Sequence, residues 1–273
     1  MSHSLPFPLR RLAKFETPVR HDSEVRWARE LPQSCVIFIH GFGGRAVATW
    51  GDFPEMAVAD PRFAESDLFF VGYTSRSNTA DFSASALFHV VKLLVERPAE
   101  VRAEVGGPAR PGNVRYGTIV LVGHSLGGAL ARKVAMLAKR DKRPWADRLR
   151  IVLFAPAHTG ANILELYYTG FGFLKWLKPI EVALILKFRV LRDLRKKSDF
   201  LNGLLTSAQA IGPHNTTKPH VVVHAENDRV VFQDEFFEDP PFKTYHANDH
   251  SGCCKPLKGT FASPLEDVAG ALA

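Results

Sequence analysis

The chain is poor in the features that would assign it to several common protein classes. It has only three cysteines, Cys35, Cys253 and Cys254, in 273 residues. Neighbouring cysteines rarely bridge each other and Cys35 begins an apolar run, so we expect no disulfide scaffold and a reducing compartment. The first eleven residues contain no apolar stretch long enough for a secretory signal. We therefore expect an intracellular, cytoplasmic protein.

Several binding motifs are also missing. The sequence has no zinc-finger spacing, Walker loop, aromatic-basic RNA motif, dinucleotide fingerprint or metal-ligand cluster. We therefore expect no nucleic-acid partner, no cofactor and no metal. The composition, with 46% hydrophobic and 23% charged residues, is typical of a globular protein and predicts a single domain over residues 1–273. The net charge of +7 favours anionic surfaces, of which a phospholipid headgroup layer fits the motifs best.

Apolar runs alternate with helix-length segments along most of the chain. The runs lack charge in their interiors and are rich in Val, Ile and Phe, which is typical of parallel strands covered on both faces. This alternation predicts an α/β fold with a mostly parallel, doubly wound sheet and helices on both faces. The predicted strands are Cys35–His40, Asp67–Tyr73, Thr118–Val122, Arg150–Ala155, His220–Ala225 and Lys243–His246, and the helices are Ala80–Glu104 and Leu126–Lys139.

Two segments depart from this alternation. Residues 1–34 predict an irregular arm or an edge hairpin with strands at Phe15–Arg20 and Glu24–Ala28. Residues 160–210 are too long for a plain connection and mix apolar side chains with lysine and arginine. This insertion is interpreted either as helices packed on the sheet or as a helical lid. As a lid, residues 160–205 would contact acyl chains or an anionic membrane surface.

The segment Gly123-His124-Ser125-Leu126-Gly127-Gly128 directly follows a predicted buried strand. A serine with glycine two residues away on each side, at the exit of a strand, is typical of a nucleophile elbow. The sharp turn would raise the Ser125 hydroxyl onto the N-terminus of the next helix, where negative charge is favoured. The alternative is a strand-to-helix turn in which Ser125 only caps the helix.

A glycine-rich turn, His40-Gly41-Phe42-Gly43-Gly44, follows an earlier strand. In this arrangement the second amide of an oxyanion hole comes from such a turn, and the first comes from the residue after the nucleophile. We therefore predict an oxyanion hole made by the backbone N–H groups of Phe42 and Leu126. The alternative is a flexible turn without a catalytic role.

The remaining partners of a serine nucleophile should follow in the order acid, then histidine. Asp228 lies in the loop after the strand Val221–Ala225 and is the preferred acid, with Glu226 as the alternative. His250 lies in a later polar loop and is the preferred base, with His246 as the alternative. Other residues are predicted to line the substrate site: His40, Gly41, Gly43, His124 and His158.

These motifs resemble those of a known family. The segments HGFGG, GHSLGG, NDRVV and DHSGCCKP resemble those of serine hydrolases of the α/β-hydrolase superfamily. Within it, they are similar to the lipase-like group around the GPI inositol-deacylases and the mitochondrial serine-active-site proteins of phosphatidylglycerol remodelling. The last histidine of that group often stands in a DHS…KP context, which favours His250. The resemblance implies an α/β-hydrolase fold over about residues 35–258.

The chemistry expected of such a chain is acyl transfer through an acyl-enzyme. We predict a serine esterase or lipase that hydrolyses carboxylic esters of small-molecule or lipid character. One alternative uses the same triad as an acyltransferase, thioesterase or amidase. A second alternative is a non-catalytic module that binds a membrane or a protein.

Overall fold

The computed structural model describes residues 10–11, 22–107, 111, 114–171, 187–212 and 217–273. In these residues the strands form one eight-stranded sheet in the order β1-β2-β4-β3-β5-β6-β7-β8. The strands are β1 (Arg10–Arg11), β2 (Glu24–Arg26), β3 (Ser34–Ile39), β4 (Ser66–Val71), β5 (Thr118–His124), β6 (Leu149–Phe154), β7 (Val221–Ala225) and β8 (Lys243–Tyr245). β1 and β2 are antiparallel to their neighbours, and the other pairs are parallel.

The central strands are buried on both faces. Every residue of β3 and β4, and all but the first residue of β5, is buried. Since successive side chains of a strand point to opposite faces, burial of the whole strand requires a cover on each face. The continuous apolar runs thus identify the middle of the sheet, and the six predicted strands of the parallel part agree with the structure to within two residues at each end.

Helices cover the sheet on both sides of β3 and β5. α4 contacts α2 as well as β5 and β6, whereas α1 contacts α8. The helices of at least five residues in the described part of the chain are α1 (Phe53–Ala59), α2 (Ala80–Glu96), α3 (Pro98–Val105), α4 (Leu126–Arg140), α5 (Ile163–Phe171), α6 (Arg189–Asp193), α7 (Asp199–Ile211) and α8 (Ser263–Gly270).

The single helix predicted over Ala80–Glu104 was wrong, because the structure has two helices there. α2 ends at Glu96, Arg97 leaves the helical region with φ −130° and ψ 46°, and α3 begins at Pro98. Proline has no N–H to donate and its ring disfavours helical backbone in the residue before it. Pro98 is therefore at the start of a second helix, where its missing N–H costs nothing.

The N-terminal hairpin and the insertion are described only in part. β2 lies at the predicted second strand and pairs with β4 and β1, while the predicted strand Phe15–Arg20 lies outside the described residues. In the insertion, α6 contacts α2 and α7 contacts α4, and Asp193 accepts a hydrogen bond of 2.8 Å from Ala80 N. These helices thus pack beside the sheet, whereas residues 172–186 lie outside the description. Among the described residues, no helix has the length and apolar character needed to cross a bilayer.

Candidate active site

Ser125 lies at the turn between β5 and α4 with an unusual backbone. Its φ of 55° and ψ of −124° are strained for a residue with a side chain, as expected of a nucleophile elbow. Two glycines make the turn possible. A Cβ on Gly127 would lie 2.0 Å from Ile39 O, and one on Gly123 would lie 2.6 Å from Gly127 O. The turn is held by a hydrogen bond of 3.0 Å from Ser125 N to Phe154 O.

The Ser125 side chain does not cap α4. Its hydroxyl is buried and makes no hydrogen bond to any described residue, His250 included. Catalytic hydrogen bonds are often incomplete before substrate binds. Ser125 instead opens into a cleft of about 220 Å³. The cleft is lined by Gly41, Phe42, Gly43, Gly44, Arg45, Ala48, Thr49, His124, Ser125, Leu166, His250, Ser251 and Lys255.

Asp228 and His250 meet at the base of this cleft. His250 Nδ1 donates a hydrogen bond of 2.8 Å to Asp228 Oδ2, and both side chains are buried. Asp228 Oδ1 accepts from the amides of Val230 and Val231 at 2.7 and 3.2 Å. Burial alone would raise the pKa of Asp228, but its hydrogen bond to His250, the His250 charge and the two amides outweigh burial and lower that pKa. Asp228 is thus held as a carboxylate, and the proton on Nδ1 leaves His250 Nε2 as the basic nitrogen.

The alternative acid and base lie elsewhere. Glu226 accepts a hydrogen bond of 3.0 Å from Ala247 N and lies 3.5 Å from His246 Nδ1. The His246 side chain is 81% exposed, and neither residue lines the cleft. The structure therefore brings together the preferred partners, Asp228 and His250, and pairs the two alternatives with each other at the surface.

The predicted oxyanion amides belong to the two segments that flank Ser125. Leu126 is the first residue of α4, so its N–H has no acceptor within the helix. In the glycine-rich turn, Gly43 N donates to Ser75 Oγ at 3.0 Å and Gly44 N donates to Gly41 O at 3.1 Å. Gly41 approaches Ser125 so closely that a Cβ there would lie 2.8 Å from Ser125 Cβ. The amides of Gly43 and Gly44 are thus engaged by these two bonds, and the oxyanion role of the Phe42 amide stays a prediction.

His124, predicted to line the substrate site, forms part of the cleft wall. Its Nε2–H donates a hydrogen bond of 2.8 Å to His250 O, and the two rings lie 4.8 Å apart between centroids. Burial first, and then the charge of His250, lower the pKa of His124 to about 3. His124 is thus a neutral side chain that fixes the backbone of His250.

His40 and His158, predicted to contact substrate, do not line the cleft. His40 is fully buried, stacks on Tyr73 and donates from Nδ1 to Gly41 O at 2.8 Å, so it supports the glycine-rich turn from behind. His158 accepts from Arg132 Nη2 at 3.2 Å and stacks on Phe236. Motif position alone cannot distinguish these roles, because a residue beside a catalytic loop can point inward as well as outward.

Sequence reasoning did not single out several residues of the site. Arg45 and Lys255 line the cleft together with Leu166, and Ser75 holds the glycine-rich turn through Gly43. Arg45 directly follows HGFGG and Lys255 lies within DHSGCCKP, so adjacency to a motif was an available signal for both. Leu166 lies in the insertion that, as a lid, was predicted to contact acyl chains, whereas no sequence signal indicates Ser75, which is far from the motifs along the chain.

Comparison with known proteins identifies the family. The model of the alpha/beta hydrolase family matches residues 36–269, and the chain belongs to this family. The predicted family and fold class are therefore confirmed. A search of curated protein sequences found no significant match.

Solved structures with a similar fold include several lipases and esterases. The mature lipase BlEst2 of Bacillus licheniformis is 16% identical, with a TM-score of 0.54 over 89% of this chain and 95% of that one. An esterase of Pyrobaculum calidifontis is 16% identical, with a TM-score of 0.57 over 98% and 86%. Carboxyl esterase 2 of Tuber melanosporum is 15% identical, with a TM-score of 0.55 over 99% and 86%. At these identities the likeness is one of fold.

Proposed function

We propose that this chain is a carboxylic ester hydrolase, a serine esterase or lipase, with Ser125 as nucleophile, His250 as base and Asp228 as acid. One observation carries the proposal. The hydrogen bond of 2.8 Å between His250 Nδ1 and Asp228 Oδ2 lies beside a serine in strained elbow geometry, and Ser125 and His250 line one cleft. The lipase and esterase neighbours support this assignment through their shared fold.

The reaction would proceed by two acyl transfers. Ser125 Oγ attacks the ester carbonyl carbon while His250 Nε2 takes its proton, and the imidazolium is stabilised by Asp228. The tetrahedral oxyanion accepts hydrogen bonds from the amides of Leu126 and Phe42, each worth about 3 kcal/mol of barrier. His250 then protonates the leaving alcohol. Water attacks the acyl-enzyme by the same route and releases the acid and free Ser125.

Covalent labelling tests the nucleophile directly. A fluorophosphonate probe should label the folded protein at the Ser125 peptide, because only an activated serine displaces fluoride from phosphorus at a useful rate. Ser125→Ala should abolish labelling. Ser251→Ala removes the other serine of the cleft and should remain labelled, and heat-unfolded protein should not react. Absence of labelling in folded wild-type protein would contradict the proposal and favour a binding module.

We further propose that the acyl part of the substrate has lipid character. The apolar wall of the cleft, Phe42, Ala48 and Leu166, supports this proposal, and Leu166 belongs to α5 in the insertion. Residues 160–205 would then contact an anionic membrane surface as the lid. Nitrophenyl esters of increasing acyl length and phospholipid vesicles test it. Turnover limited to two- to four-carbon acyl groups would contradict the lipid part and leave the esterase part intact.

A further inference from the structure

Two cationic side chains flank the cleft without a counter-ion. Arg45 and Lys255 are the charged residues among those that line it, together with the triad base His250, and no carboxylate lines it. Neither forms an ion pair with a described residue. Elsewhere on the protein, Lys139 pairs with Asp147 at 2.6 Å and Lys196 pairs with Asp234 at 2.8 Å. A cleft whose charged lining residues are cationic attracts anions.

The backbone around each cation is fixed by local contacts. Arg45 follows the glycine-rich turn, and its N–H donates to Thr49 Oγ1 at 3.0 Å. Lys255 N donates to Gly252 O at 2.9 Å, and the base of its side chain packs so closely on Gly51 that a Cβ there would lie 3.1 Å from Lys255 Cβ. The two cations are therefore presented by well-defined loops, while their long side chains can adjust to a ligand.

These two loops also carry the catalytic groups. Arg45 lies three residues after Phe42, the predicted oxyanion donor, and Lys255 lies five residues after His250. Lys255 lines the same cleft as Ser125 and His250, so its side chain faces the space in which the reacting atoms would lie. An anion held between Arg45 and Lys255 would therefore lie beside the scissile carbonyl rather than at a remote surface.

We propose that the substrate of this cleft carries an anionic group, a carboxylate or a phosphate, next to the scissile ester, and that Arg45 and Lys255 bind it. The inference rests on the proposed esterase function and adds the substrate class. The cleft that would hold the ester and its charged group has a volume of about 220 Å³.

Two pairs of substrates test the proposal, and the members of each pair differ by one anionic group. The first is 1-octanoylglycerol and its 3-phosphate, in which the anion lies on the leaving alcohol. The second is 4-nitrophenyl hexanoate and mono-4-nitrophenyl adipate, corrected for spontaneous hydrolysis, in which the anion lies on the acyl group. We expect kcat/KM to favour the anionic member of at least one pair by about tenfold, through a lower KM, which corresponds to ~1.4 kcal/mol. A preference in the first pair indicates a phosphate on the leaving alcohol, and a preference in the second pair indicates a carboxylate on the acyl group.

Variants connect the preference to the two cations. Arg45→Gln and Lys255→Gln should each reduce the anionic-to-neutral ratio of kcat/KM severalfold, and the double variant should abolish it. Lys258→Gln removes a nearby lysine that does not line the cleft and should keep the wild-type ratio. Added salt should weaken the preference, because exposed charges are screened. Equal kcat/KM for the members of both pairs would overturn the inference while leaving the esterase function standing.

A binding measurement separates the two proposals if turnover is absent. Ser125→Ala protein, titrated calorimetrically with 1-octanoylglycerol 3-phosphate and with mono-4-nitrophenyl adipate, should bind at least one of them about tenfold more tightly than its neutral partner. Arg45→Gln in the same background should reduce the difference severalfold, and Arg45→Gln with Lys255→Gln should remove it. A preference that persists without turnover supports the anion site and contradicts the esterase function. Absence of any charge preference in binding overturns the anion site regardless of activity.

Discussion

Asp228 shows how one side chain can shape both the loop and the chemistry of this site. Its two oxygens have separate tasks, since Oδ1 accepts from the amides of Val230 and Val231 and Oδ2 accepts from His250 Nδ1. The first task closes the loop after β7, and the second sets the tautomer of the base. A substitution that changes one oxygen and keeps the other can separate these tasks.

Asp228→Asn should abolish most activity without unfolding the protein. The amide oxygen can still accept from Val230 and Val231, but the NH₂ group then faces His250 Nδ1 and favours the tautomer with hydrogen on Nε2. His250 cannot then accept the Ser125 proton, and kcat should fall by about 10⁴-fold. Steady-state kinetics with a nitrophenyl ester and a thermal melt measure the two effects.

The matched control is Glu226→Gln, which neutralises the other carboxylate of the same loop. Glu226 bonds Ala247 N and His246 at the surface, so kcat should stay within about twofold of wild type, as for most surface substitutions. An equal loss of kcat in Asp228→Asn and Glu226→Gln would show that loop order, rather than the Asp228 carboxylate, supports activity.

The proposed catalytic residues were more predictable than the residues around them. Ser125, Asp228 and His250 each follow a strand in the chain order that the chemistry requires, and the structure brings Asp228 and His250 together as expected. The orientation of His40 and His158 could not be predicted, because it depends on Tyr73 and Arg132, which are distant in sequence. Long-range packing, rather than motif position, decides which wall residues face the cleft.

At the scale of elements, α4 joins the elbow to the rest of the molecule through a buried ion pair. Arg132 on α4 donates from Nη1 to Asp239 Oδ1 at 3.0 Å, and its guanidinium lies 4.2 Å above the Phe236 ring. Both charged side chains are less than 10% exposed. The segment after β7 is thereby attached to the helix that begins at Ser125.

Removing one charge of this ion pair should destabilise the protein more than removing both charges. Arg132→Met or Asp239→Leu alone leaves a buried charge without a partner, so each should lower the free energy of unfolding by about 3–5 kcal/mol. The double variant removes both charges and should recover most of that loss. Urea unfolding of the wild type, the two single variants and the double variant measures the coupling free energy between Arg132 and Asp239. A double variant as unstable as the sum of the two single variants would show that the two side chains act independently.

The sheet was predictable from sequence and the helices less so. Parallel strands covered on both faces need continuous apolar runs, such as Val36–Ile39, and turns fix their ends within a residue or two. The break at Pro98 was missed because a second helix begins directly after Arg97, so the chain is helical on both sides of the break. The insertion remained ambiguous, since α6 and α7 have apolar faces that fit either a lid or packing on α2 and α4.

For the whole molecule, three buried histidines affect the response to acid. Burial is the largest cause that lowers the pKa of each: to about 3 for His124, to about 4 for His224, and well below its usual range for His158. In the unfolded chain each has a pKa of about 6.5. Between these values the unfolded state binds more protons than the folded state, so stability is present above pH ~6.5 and is lost as the pH falls.

We therefore expect the free energy of unfolding to fall steeply between pH ~6.5 and pH ~4. His224 alone contributes ~3 kcal/mol by pH 4, because its pKa differs from the unfolded value by about 2.5 and each unit is worth 1.36 kcal/mol. The pKa of Asp228 is lowered in the folded state, so its contribution to stability is lost only as the pH falls below ~3.9. Asp228 therefore does not account for the loss of stability between pH ~6.5 and pH ~4.

Urea unfolding at intervals of half a pH unit measures the slope. His224→Leu removes a histidine whose Nδ1 is buried without a partner in the described structure, and it should reduce the slope between pH 4 and 6.5 by about one proton. His246→Leu, at a histidine whose side chain is 81% exposed, is the matched control. Equal slopes for wild type and His224→Leu would mean that His224 titrates alike in both states, and acid sensitivity would then come from groups other than this histidine.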